Sequence, residues 1–465
     1  MTLLQQWRPD PTFYPSPKMA IEAPIEDVAY VAAPRDDGNP DAMCVVDLNK
    51  ASDTYGQMVH RLELGVRDEI HHFGWNACSA ALCPYAPHPY VERRYLVVPA
   101  LRGSHIYILD VKENPKAPKL IKTLDASEVE SRSGYTRPHT VHCGPEGIYV
   151  SALASAGSEE GPGGIFLMDH YNFNILGQWE VERGPQSLSY DFWWHLGYDI
   201  AVTSEWGTPA MIENGVSLED LGARKFGHKI HIWDIRHRKN IQTLDLGDDY
   251  QMILELRPAH DPTKAYGFVN AVLNMNDLSS SIWTWYKDGD NWNIQKIIDI
   301  PAQVPENPDD LPPALKDIGM IPPLVTDHIL SLDDRFLYVS CWGTGEMLQY
   351  DVSDPFNPKH TGTIEIGGIT KSHPHPAAGP VSGGPQMVEL SRDGKRLYFT
   401  NSLYVAWDNQ FYPDGANGWM VKADVNGEDG GLELDPDFFV DFGESRAHQI
   451  RLQGGDSSSD TFCYS

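Results

Sequence analysis

The sequence predicts an all-β protein, a seven-bladed β-propeller of four-stranded antiparallel blades, on three observations. A unit of short apolar strand, loop, strand ending in an acidic or polar turn, and outer strand returns seven times along the 465 residues, at intervals of roughly 50 to 70, the regime of propellers. The units share local sequence, most clearly Tyr149-Val150-Ser151 and Tyr338-Val339-Ser340. The 40 glycines and 35 prolines suit many short strands joined by turns rather than long helices. Four-stranded blades repeated radially leave only short, protected edges.

The chain is read as one propeller domain over residues 1–465. After an extended, Pro-rich lead at about residues 1–25, the first unit takes its strands from Tyr30 to Pro34, Ala42 to Asn49 and Tyr55 to Leu64. The second uses Tyr95, Ile106 and Lys119 as strand starts, the third Ile148, Gly164 and Ile175, and the fourth Ile200, Lys229 and Asn240. Gly267, Ser281 and Ile294 open the strands of the fifth, Leu337, Met347 and His360 those of the sixth, and Leu397, Gly418 and Phe438 those of the seventh. The segment before each unit supplies a fourth, innermost strand. These are Ile70 to Phe73, His139 to Cys143, Ser187 to Trp194, Gln251 to Leu256, Thr326 to Leu330, Gln386 to Leu390 and, closing the ring onto the N-terminal blade, Ala447 to Leu452. Two insertions, near 303–323 and 367–384, read as loops that cover one face of the disc.

Thirty-six Lys and Arg against 65 Asp and Glu leave a net charge of −29, which repels phosphate backbones and anionic lipid surfaces. Nucleic acid is therefore excluded as a partner. The N-terminus has no basic region followed by an apolar run, and no apolar stretch is long enough for a membrane span, so the cytoplasm is the expected location. The six cysteines are scattered, with only Cys78 and Cys83 close together; that spacing fits neither a disulfide scaffold nor structural zinc. The oligomeric state is left open.

Eighteen histidines are the compositional anomaly. Inner strands line the axial channel of a propeller, so residues from different blades can meet there. The candidates for metal ligands are His71, His72, His139, His142, His328 and His448. If the two Tyr-Val-Ser triplets are superposed, His139 and His328 fall on each other. On an extended strand His139 and His142 cannot both face the axis unless the strand is kinked, and Pro138 and Gly144 make a kink plausible. The adjacent pair His71 and His72 presents the same difficulty. Imidazole-rich sites without paired thiolates suit copper, zinc, iron or nickel. His373 and His375 read as part of a lid or as an adventitious site, and His60, His88, His170 and His237 as residues of outer strands or turns. Asp191 and Glu205 are the expected carboxylates for general-base work or for fixing a ligand imidazole, and Cys78 a thiol within reach of a metal or thiol substrate.

Several segments are familiar as a set: Asp68 to Ser79, His139-Thr140-Val141-His142-Cys143, Tyr190 to Trp194, Ser204-Glu205-Trp206, Gly384 to Met387, Ala406 to Pro413 and Gly454 to Asp460. Together, from near Pro11 to the C-terminus, the chain resembles the selenium-binding protein family, whose better-characterised members are methanethiol oxidases. The resemblance implies a cytosolic, copper-dependent propeller that converts methanethiol, oxygen and water to formaldehyde, hydrogen sulfide and hydrogen peroxide. A small volatile thiol and O2 would then be its substrates. It places the copper ligands in the His71/His72 pair, the His139/His142 pair and His448; His328 comes from repeat register alone. Where animal members carry a selenium-associated cysteine, Gly56 stands in this sequence, which puts selenium binding through that thiol in doubt. The alternatives are a non-catalytic selenium- or metal-binding scaffold for protein interactions and a lactonase-like metal hydrolase.

Overall fold

The computed structural model describes residues 10–88, 90–370 and 373–465. It is a seven-bladed β-propeller, each blade a four-stranded sheet with antiparallel neighbours. From the axis outward, blade 1 runs Ile450–Leu452, Val28–Ala33, Ala42–Asp47 and Met58–Glu63, so that the last strand of the chain closes the ring on the first. The other inner strands are Gly74–Trp75 (blade 2), Tyr135–Cys143 (3), Phe192–His195 (4), Tyr250–Pro258 (5), Val325–Leu330 (6) and Val388–Leu390 (7).

The strand sequences are apolar at nearly every position because each blade packs on two neighbours. In Val28–Ala33 the side chains of Val28, Tyr30 and Ala32 join Phe73, Trp75, Leu96 and Val98 of blade 2. The alternate set, Ala29, Val31 and Ala33, joins Tyr398, Met420 and Val440 of blade 7. Period-two alternation thus survives, but both faces are buried. A comparable cluster fills each of the other five interfaces, with Trp179, Trp194 and Trp233 between blades 3 and 4. The outermost strands, such as Lys119–Leu124, are largely exposed to solvent.

The recurrent Tyr-Val-Ser has a mechanical meaning. The polar residue that ends it donates to a carbonyl of the next blade's inner segment: Ser151 to Tyr190 at 2.7 Å, Ser340 to Gln386 at 2.6 Å, and Thr400 to His448. Ser204 and Asn270 do the same toward Leu254 and Val325. These clasps tie buried backbone groups across the blade interface.

The predicted register of His139 against His328 is corrected. Val150 pairs with Val141, whereas Val339, its counterpart in the repeat, pairs with His328. The turn between the strands of blade 6 is two residues longer, which slides His328 onto the place of Val141 and leaves His139 opposite no histidine. The inner element of blade 2 is also shorter than predicted, and the His71-His72 pair precedes it. The lead includes a short helix, Pro17–Ile21, with proline at its first position.

Both insertions pack inward. Leu311, Leu315 and Ile321 of the first and Ile369 of the second share a cluster with Tyr190, Trp206, Tyr404 and Trp407. Two further segments, around the helices Pro209–Ile212 and Val405–Phe411, complete it.

Candidate metal centre

Four buried histidines from different parts of the chain converge in this region: His71, His72, His139 and His448. His71 and His72 manage to face the same space because the chain turns at that point. The amide of Phe73 donates to the His71 carbonyl at 2.8 Å, a three-residue turn about His72. His139 reaches the site from a strand broken by a bulge between Pro138 and Val141, with Arg137 at φ +60°. His448 is placed by the ring-closing segment, its own carbonyl held by Thr400.

The ligand atoms of His71, His72 and His448 all lie within 4.8 Å of one another, so these three can hold a metal ion. The His139 ring centroid is 4.6 Å from those of both His71 and His72. His448 Nδ1 is 2.7 Å from the Ser402 carbonyl, to which it donates, and that leaves an Nε2 lone pair 3.2 Å from His71 Nδ1. The Nε2 atoms of His71, His72 and His139 are buried without a hydrogen-bond partner. Burial, reinforced by mutual repulsion, lowers the proton affinity of these rings: His139 falls to about 3, and His71 and His72 go well below the ordinary value. His448 falls to about 4 through burial. Four neutral imidazoles, three with unshared Nε2 lone pairs and the fourth, His448, meeting His71 Nδ1 through its Nε2, are a donor set for a borderline transition metal.

Aromatic rings surround the cluster. Tyr190 lies 4.4 Å from His139 and 5.5 Å from His72, Trp206 5.8 Å from His139, and Tyr404 6.0 Å from His71. Tyr190 donates to Glu255 Oε1 at 3.0 Å, and that same oxygen is 3.7 Å from His72 Nδ1. Burial and the nearby charge of Asp191 push the Glu255 carboxyl well above its ordinary range.

The remaining predicted residues are not brought to the cluster in the same way. His142 packs on Trp193 and meets Asp191 Oδ1 at 3.1 Å. Asp191 is occupied on its other oxygen by the Leu256 amide at 2.9 Å and by Arg257 at 3.3 Å. Burial alone would raise it, but the His142 bond and the Arg257 charge hold it below its ordinary value. Arg257 also bridges Glu255 and Asp327, so the inner strands of three blades share one buried ion network. His328 is fully buried with both ring nitrogens unpartnered. Glu205 is bonded to His231 at 2.9 Å. The Cys78 thiol donates to the Cys143 carbonyl at 3.3 Å, and the six cysteines are free. Sequence reasoning missed Glu255, whose signal is a carboxylate following the apolar run Met252 to Leu254 in an inner strand, and left Tyr190 and Thr140 without a role.

The comparisons agree along nearly the whole chain. A methanethiol oxidase of Xenopus tropicalis is 39% identical over 477 residues, covering 96% of this chain and 97% of its own length. The methanethiol oxidase of Homo sapiens is 38% identical with the same coverage. The crystal structure of a hypothetical selenium-binding protein from Sulfolobus tokodaii superposes with a TM-score of 0.95 at 55% identity, over 98% of this chain and all of that one. The profile of the family described as 56kDa selenium binding protein (SBP56) matches residues 7–463, and the chain belongs to that family.

Proposed function

We propose that this protein is a methanethiol oxidase, converting methanethiol, dioxygen and water to formaldehyde, hydrogen sulfide and hydrogen peroxide, one molecule of each, at a copper ion held by His71, His72, His139 and His448. The carrying observation is the buried set of four imidazoles, three of them with unshared Nε2 lone pairs, in a chain collinear with relatives named for this activity. Copper bound there supplies Lewis acidity toward the thiol sulfur and a redox couple that O2 can reoxidise.

The chain's own residues account for selectivity and proton handling. Tyr190, Trp206 and Tyr404 form apolar walls that suit a methyl group and exclude bulk water. Glu255, its proton affinity raised by burial and its Oε1 accepting from the Tyr190 hydroxyl, is the carboxyl nearest the imidazoles. Asp191 has both oxygens engaged, so its part is to hold His142 and Arg257 in place rather than to activate water. Glu205 is bonded to His231 and the Cys78 thiol to the Cys143 carbonyl, so neither is given a step in this reading. We place the activity in the cytoplasm, where six free cysteines stay reduced.

Oxygen uptake and sulfide release from methanethiol test the reading. Both should require copper and both should vanish in His139→Ala; full turnover in that variant, or in copper-free protein, overturns it.

A further inference from the structure

We propose that Thr140 is a positioning residue that sets the tautomer and aim of two imidazoles at once, His72 and His139, and so turns both Nε2 lone pairs toward the metal; this rests on the copper-site reading above. The Thr140 hydroxyl oxygen lies 2.8 Å from His139 Nδ1 and 3.4 Å from His72 Nδ1. A neutral imidazole carries one N–H, and for Nε2 to ligate a metal that proton must sit on Nδ1 and find an acceptor. A hydroxyl oxygen has two lone pairs, enough to accept from both rings. His448 satisfies the same requirement with the Ser402 carbonyl. Among the described residues no other hydrogen-bond acceptor is recorded for Nδ1 of His139.

The backbone that carries the hydroxyl is held from two sides. The Thr140 amide donates to Ser151 Oγ at 3.1 Å, within the blade 3 clasp, and the Val141 amide donates to the His72 carbonyl at 3.1 Å. His72 and Thr140 form a parallel bridge, which fixes the two backbones against each other. Threonine's branched Cβ narrows χ1, and at 3% exposure no bulk water can stand in for the oxygen. Valine keeps the shape and removes the acceptor, leaving two buried N–H groups unpaired unless a ring turns or its proton moves to Nε2.

The test compares Thr140→Val and Thr140→Ser with the wild-type chain, each stripped and reloaded with copper, by chelator competition and by electron paramagnetic resonance. The valine variant should fold, bind Cu(II) about 10- to 100-fold more weakly and show altered nitrogen hyperfine structure, while serine restores both toward wild type. In the metal-free wild-type protein, long-range proton–nitrogen correlation spectra should find the Nδ1–H tautomer at His72 and His139, a result that does not depend on any variant folding. Wild-type affinity and spectrum in Thr140→Val, or an Nε2–H tautomer at either ring, overturns the inference while leaving the copper site standing. A wild-type chain that binds no copper removes both.

Discussion

His448 Nε2 lies 3.2 Å from His71 Nδ1, although 377 residues separate the two in sequence. The contact exists because the C-terminal strand is the inner strand of the N-terminal blade, so ring closure and site assembly are one event. A change that opens the ring therefore also dismantles the cluster.

Replacing His448 with alanine removes the ring that the closing segment delivers. Copper retention and sulfide release are expected to be lost together, with the far-ultraviolet circular dichroism of the β-propeller unchanged. Metal analysis beside the activity assay checks this, and a variant that keeps its copper would show that His448 is not a ligand.

Metal binding should resist acid. Protons compete with a metal only once the pH nears the proton affinity of the metal-free ligands, which is depressed to about 4 at His448 and about 3 at His139. Because a lowered pKa means weaker proton binding, copper affinity should be nearly flat from neutral pH to about 5.5. Ordinary histidines near 6.5 would each lose up to about tenfold per pH unit below that value. Competition titrations at the two pH values distinguish these outcomes.

Arg257→Met should be among the most destabilising single changes. Its guanidinium lies 3.3 Å from Asp191, 3.1 Å from Glu255 and 3.1 Å from Asp327, all buried. Removing it strands carboxylates without a counter-charge, at a cost of about 3–5 kcal/mol, read as a lower urea midpoint. Retention of the wild-type midpoint would mean that the carboxyls are already neutral.

Ser340→Ala tests the clasp apart from the site. It removes the one hydroxyl proton shared between the carbonyls of Gln386 at 2.6 Å and Asp327 at 3.0 Å, and should cost about 1–3 kcal/mol. Copper content should not change.

The blades were legible in the sequence because their two signals are local: short strands apolar on both faces, and a polar residue after each Tyr-Val or equivalent pair. The convergence of His71, His72, His139 and His448 could be expected from inner-strand placement. Register could not, since two extra residues in one turn move His328 onto the place of Val141 without altering the sequence spacing that suggested its equivalence to His139. Nor could the three-residue turn that lets His71 and His72 share a site, because nothing in Ile70 to Phe73 marks it. The partners of the carboxylates were hidden for a related reason. Asp191 and Glu205 lie near the cluster in sequence register, but both oxygens of Asp191 and Oε1 of Glu205 are taken by partners 26 to 66 residues away, while Glu255 arrives from the next blade.

The central claim is that the histidine cluster holds the copper on which thiol oxidation depends. Chelator-stripped protein titrated with copper while sulfide release from methanethiol is followed tests it most directly. The account predicts activity that rises in proportion to bound copper, ends at one ion per chain and is absent from the His139→Ala and His448→Ala variants. Stoichiometric copper binding with no sulfide released at any loading would contradict it.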